Sequence, residues 1–158
     1  MSVPRVRREY PFLESEAALH DFVRRWEAGR LTKAEWTHGA HVGTAAYYAF
    51  ELKAEALFER MKAGIIHHNE SVGTPNTEDN GYHETLTRFW TETIGEFVRA
   101  RHFSSRFEAV KNATQVFGED PDRHRLYYGF DVVRDRRARR EWIKPDREPP
   151  LAETSARP

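Results

Sequence analysis

Cysteine is absent from the 158 residues. The chain can therefore build no disulfide framework, no thiolate metal site and no cysteine nucleophile, and any metal would rest on His, Asp, Glu or water. Net charge is absent too, with 25 Lys and Arg against 25 Asp and Glu. A dedicated nucleic-acid binder carries a basic excess, so no nucleic-acid partner is expected. Long apolar runs are also missing. No stretch approaches the roughly 18 residues of a membrane span. The opening MSVPRVRREYPF has basic residues but not the apolar run of a secretory signal. A cytoplasmic protein without a membrane partner is expected.

Aromatic rings are plentiful. Apolar residues make up only 39 % of the chain and charged residues 32 %, yet there are 10 Phe, 6 Tyr and 4 Trp. Rings of that size supply the core that the aliphatic count would not. A homodimer through an exposed apolar patch stays open, although the sequence does not locate one.

No repeat is visible, and apolar residues recur at three- and four-residue spacing, the helical period. The first helix is expected over 16–28, capped by Ser15, with Gly29 after it and Leu19, Phe22, Val23 and Trp26 inward. Thr32 and Glu35 have the spacing of a capping box and predict a second helix running to about residue 52. A third is expected over 54–68, with Leu57, Phe58, Met61 and Ile65 inward. Residues 71–81 (SVGTPNTEDNG) read as a loop, which could act as a lid or simply connect. A fourth helix is expected over 81–101. Ser105 and Glu108 open a fifth that ends near Gly118, and Asp120 with Pro121 gives a further start signal. The fold class is all-α: an antiparallel four-helix bundle core with additional short C-terminal helices. Residues 1–12 read as an N-terminal extension, 13–146 as a single domain and 147–158 as a flexible tail.

Five of the eight histidines fall in three short segments: WTHGAH at 36–41, HHNE at 67–70 and YHET at 82–85. His38 and His41 are three apart and so share a helix face. His83 heads the row Thr87, Trp90, Ile94 and Phe97, and His68 ends the row Leu57, Met61 and Ile65. In an up-down bundle the starts of the second and fourth helices and the end of the third lie together, so all four imidazoles could meet in one layer. Neutral imidazole suits a divalent transition metal, zinc or iron, and three protein ligands leave an open position. His38, His41, His83 and His68 are the candidate ligands. Glu84 is a candidate further ligand or general base, Glu70 a second carboxylate, and Tyr82 or Tyr48 a hydrogen-bond donor to a bound group. The competing reading is a hydrogen-bonded core network of His, Tyr, Thr and Glu. In it His68 suits a helix C-terminus and Glu84 a first helical turn. His20, His102 and His124 lack partners in the pattern and read as surface residues. The run RDRRARR at 134–140 reads as a solvated face or an anion-binding segment.

The segments WTHGAHV at 36–42, GTPNT at 73–77 and GYHET at 81–85 resemble a family of small bacterial helical proteins of unknown function. That family carries an aromatic-x-His-x-x-His-Val element followed by Tyr-His-Glu-Thr. WIKPD at 142–146 is similar to the end of the same family. The resemblance implies a site at His38, His41, Tyr82, His83, Glu84 and Thr85, and no particular chemistry. Where many members have an acid before the second histidine, this chain has Ala40. Taken together, the residues predict a metal-dependent small-molecule enzyme or binding protein. The alternative is a non-catalytic structural or interaction domain with histidines as core residues.

Overall fold

The computed structural model describes residues 9–149. Among these the chain is all-helical, with α-helices α1 (Glu16–Glu27), α2 (His38–Ala49), α3 (Ala54–Ser71), α4 (Glu84–Arg101), α5 (Arg106–Phe117) and α6 (Arg136–Arg140). Two 3-10 turns, Pro11–Leu13 and Arg123–Leu126, complete it.

Helix α1 begins where its cap dictates, because Ser15 Oγ accepts from the Ala18 N–H at 3.0 Å. Leu19, Phe22, Val23 and Trp26 are its buried stripe, as their spacing predicts. Helix α2 begins later than expected. Thr32 and Glu35 do exchange their reciprocal bonds: Thr32 N–H to Glu35 Oε2 at 2.7 Å, and Glu35 N–H to Thr32 Oγ1 at 3.3 Å. They close only one isolated turn, and Arg25 of α1 holds the Glu35 carboxylate at 2.8 Å. Thr37 then caps the helix itself, accepting from Ala40 N–H at 3.2 Å. This double start places Trp36 between two turns, where its ring stacks on the fully buried Trp26 with centroids 5.3 Å apart.

Helix α4 also starts late. His83 is extended and is the N-cap, its Nδ1 accepting from Leu86 N–H at 3.2 Å. Helix α3 runs to Ser71, three residues further than its apolar pattern suggests. Helix α5 lies against α2, and α4 lies against α2, α3 and α5.

Two buried clusters result. The larger joins α1, α2, α3, α5 and the α2-facing side of α4. The smaller lies on another face of α4, where Phe89 meets Tyr128, Val132 and Ala138. The C-terminal chain is stitched over it. Thr85 Oγ1 donates to the Glu141 carbonyl and accepts from Ile143 N–H, and Tyr128 OH donates to the Ile143 carbonyl.

The described chain makes contacts near both of its ends. Tyr10 and Phe12, assigned by sequence to an extension, pack on the larger cluster. Asp146 and Arg147 bond to the Tyr127 carbonyl through their N–H groups. The rest of the expected extension, 1–8, and of the expected tail, 150–158, lies outside the described residues. No helix among the described residues is long and apolar enough to cross a membrane.

Gly64 of α3 faces the Trp26 ring so closely that a Cβ there would overlap it. Trp26 has no exposed surface through which to yield. Gly64→Ala should therefore lower stability by roughly 1–3 kcal/mol, despite the ~1 kcal/mol by which alanine favours a helix over glycine. Chemical denaturation reads the change, and an unshifted midpoint would show that the indole moves freely.

Candidate functional site

A cavity of about 530 Å³ opens between α2, α3 and α4. Each wall has a source in the local fold. Helix α2 contributes His38, His41, Val42 and Ala45, α3 contributes Met61, Ile65 and Asn69, and α4 contributes Leu86, Thr87, Trp90, Thr91 and Ile94. Trp36 enters from the turn before α2. Asn80, Gly81, Tyr82, Pro121, Asp122 and Val133 also line the cavity, and His83 and His124 complete it.

His38, His41 and His83 thus line one cavity, joined by His124, which sequence reasoning had set on the surface. His124 is 5 % exposed. Its signal was faint, because it sits in a 3-10 turn without helical periodicity around it. Its neighbour Asp122 and the two tryptophans were likewise not singled out as site residues. His68 is fully buried but does not line the cavity; it packs beside Trp36 at 5.3 Å. His20, also expected at the surface, bonds through Nδ1 to Tyr47 OH at 2.8 Å. His102 is exposed and holds the left-handed position after α4.

The hydrogen bonds assign protons to the imidazoles. His83 Nδ1 accepts from Leu86 N–H, so Nε2 carries the proton and donates it to the Val132 carbonyl at 2.8 Å. His38 Nε2 faces the Phe117 carbonyl at 3.0 Å, and His124 Nδ1 faces the Pro121 carbonyl at 3.1 Å. Carbonyls only accept, so those nitrogens are the protonated ones. His41 differs from the other three: neither of its ring nitrogens has a hydrogen-bond partner among the described residues, and its ring lies on Trp36 with centroids 4.0 Å apart.

Burial dominates the electrostatics. It pushes His38, His83, His68 and His124 below the ordinary histidine value. His41 is pushed furthest, to about 3, first by burial and then by the neighbouring His38 and His68. Asp122 is the one formally charged side chain among the lining residues.

The metal-dependent reading is corrected by this arrangement. Among the described residues no group of three or more His, Asp or Glu side chains is disposed to hold a metal ion. The physical reason is visible residue by residue. His83 spends both nitrogens on backbone and has no lone pair left for an ion. His68 is outside the cavity. Glu84 does not line it either; its Oε2 accepts from Lys62 Nζ at 3.0 Å and from Tyr82 OH at 2.9 Å. Tyr82 lines the cavity, but its hydroxyl is committed to Glu84, and burial with that carboxylate raises its pKa. Tyr48 donates to Glu27 and accepts from Arg60, away from the cavity. Glu70 is exposed.

The mouth is held by the arginine-rich segment. Arg136 Nε and Nη2 grip Asp79 at 2.9 and 3.1 Å, and Arg139 Nη1 donates to the carbonyls of Gly81 and Tyr82. Arg140 reaches Glu78 at 3.7 Å. Arg134 and Arg137 pair with Asp131 and Glu141. Gly81 has φ +79°, and a Cβ there would meet the Pro75 carbonyl, so the turn into the mouth needs glycine. The loop 72–83 is thus tied to α6 by charge.

No family model, curated protein or solved structure matches this chain.

The neutral histidines set a pH dependence. Their folded pKa values lie below the unfolded value, so the unfolded chain takes up protons first as pH falls. Stability should be full above about pH 6.5 and decline below it, with His41 contributing down to about pH 3. Each such group contributes a slope of up to roughly 1.4 kcal/mol per pH unit. Denaturation of the wild type and His41→Phe at pH 7, 6, 5 and 4 should give a shallower decline in the variant. Parallel curves would mean that His41 protonates as readily folded as unfolded.

Proposed function

We propose that this chain is a small-molecule-binding protein whose site is the cavity between α2, α3 and α4. The observation that carries the reading is an imidazole, that of His41, which lines a cavity and has no protein hydrogen-bond partner. His41 is half-buried, and an imidazole left open to an aromatic cavity is the pattern of a ligand anchor. The volume, about 530 Å³, suits a molecule of a few fused rings. Binding is favoured over proton transfer. A general base works best with a pKa near the working pH, and burial pushes His41 to about 3. It therefore acts as a hydrogen-bond partner.

The proposal takes α2, α3, α4 and α5 as an antiparallel four-helix core, with the site at the end where α2 and α4 begin. The two elements behind the family resemblance support it. Trp36, His38, His41 and Val42 from the first element and Tyr82 and His83 from the second line the same cavity.

Naphthalene tests the site without assuming a polar contact. Titrating it should shift the methyl resonances of Val42, Ile65 and Ile94 saturably, and Ala45→Phe, which fills the cavity from α2, should remove the response while helical content is kept. Methyl signals that stay still, or that shift equally in the variant, would leave the cavity as a packing feature of a structural domain.

A further inference from the structure

The lone pairs around the cavity suggest what it selects. His38 carries its proton on Nε2, toward the Phe117 carbonyl, which leaves Nδ1 as an acceptor. His124 carries its proton on Nδ1, toward the Pro121 carbonyl, which leaves Nε2 as an acceptor. His41 has neither nitrogen engaged. None of these four nitrogens is among the sealed, partnerless buried atoms of the described residues, so a ligand can reach them.

Donors line the cavity as well, all of them uncharged: His41 carries one N–H on its neutral ring, and the Trp90 indole and Asn80 amide add others. No Lys or Arg lines the cavity. The Tyr82 hydroxyl donates to Glu84, and the Thr91 hydroxyl donates to the Arg88 carbonyl at 3.1 Å. The Trp36 Nε1–H is sealed off without a partner. The one formal charge at the lining is negative, on Asp122, which is exposed and pairs with Arg125 at 3.6 Å. An anion entering here would lose its water and meet neutral donors only, with no Lys or Arg at the lining to receive it.

The shape is set by rings. Trp36 and Trp90 both line the cavity, with His41 packed on the first at 4.0 Å and His38 edge-on to the second at 4.7 Å. Flat molecules suit such walls, stacking on one ring and meeting the edge of another.

We infer that the cavity selects an uncharged, flat heteroaromatic molecule that donates N–H hydrogen bonds, with His41 as its principal acceptor, and that it rejects anions. This rests on the cavity being the binding site. The selection works by leaving a price on the wrong ligand: an analogue of the same shape without the N–H strands a buried imidazole acceptor, and a site built to bond a donor rejects such an analogue strongly.

Three probes separate the features: indole, benzothiophene of nearly the same shape without N–H, and indole-2-carboxylate. Calorimetric titration of the full chain at neutral pH should give indole at least about tenfold tighter than benzothiophene, although benzothiophene leaves water more readily. Indole-2-carboxylate should bind at least about tenfold more weakly than indole, and Asp122→Asn should recover part of that loss. His41→Phe keeps a ring on Trp36 and should bring the indole-to-benzothiophene ratio to one or below. Benzothiophene binding as tightly as indole in the wild type overturns the inference without any variant having to fold. So does a carboxylate that binds as well as its parent, or a ratio that survives His41→Phe. Saturable naphthalene binding beside any of these outcomes leaves the cavity as a site and removes only the ligand class. If naphthalene and indole both leave the methyls of Val42, Ile65 and Ile94 unmoved, the site itself is wrong.

Discussion

The imidazole of His83 holds together parts of the chain that are far apart in sequence. Its Nδ1 caps α4 by accepting from Leu86 N–H, and its Nε2–H reaches 49 residues along the chain to the Val132 carbonyl. One side chain therefore fixes where α4 begins and where the C-terminal segment lies. Both bonds require the neutral ring with a proton on Nε2, and burial favours that same form. The segment held by Val132 carries Val133 to the cavity, while Tyr128 and Val132 close the smaller cluster on Phe89. Thr85, two residues on, repeats the device, bonding to both Glu141 and Ile143.

The same neutrality shapes the cavity. Four histidines line it, and burial pushes down the pKa of each. Desolvating a charged imidazole costs more than the neighbouring carbonyls return. A cavity built from neutral rings can be wet, aromatic and rich in lone pairs without repelling itself. Three of the eight imidazole nitrogens meet backbone carbonyls and a fourth accepts from a backbone N–H, so both nitrogens of His83 are taken. Only His41 is left wholly uncommitted.

Charge in this molecule is used at the mouth. Arg136 and Arg140 of α6 face acids of the loop 72–83, and Arg139 donates to the two carbonyls that precede His83. Zero net charge is thus reached by local pairing. Arg136 with Asp79 is a two-bond contact, but both side chains are well exposed, so each such pair adds little to stability. Together they set the position of the chain that carries Asn80, Gly81 and Tyr82 to the cavity.

Much of the helical framework was legible in the sequence. Ser15 and Ser105 are local cap signals, and each acts within three residues of itself, so no tertiary partner was needed to read them. The stripe from Leu19 to Trp26 follows from helical period alone. Helix faces and helix ends can be counted, which drew attention to His38, His41 and His83, and all three line one cavity. Tertiary structure decided the rest. That Glu35 pairs with Arg25, seven residues before Thr32 and on another helix, could not be read from the capping-box spacing. Whether His83 ligates or caps depended on a carbonyl at Val132, and whether Glu84 faces the cavity depended on Lys62 of α3. A sequence specifies which groups can donate and accept; the fold alone determines which of them meet. The chemistry of a histidine rests on that second fact, because its two nitrogens are claimed one at a time by whatever packs beside them.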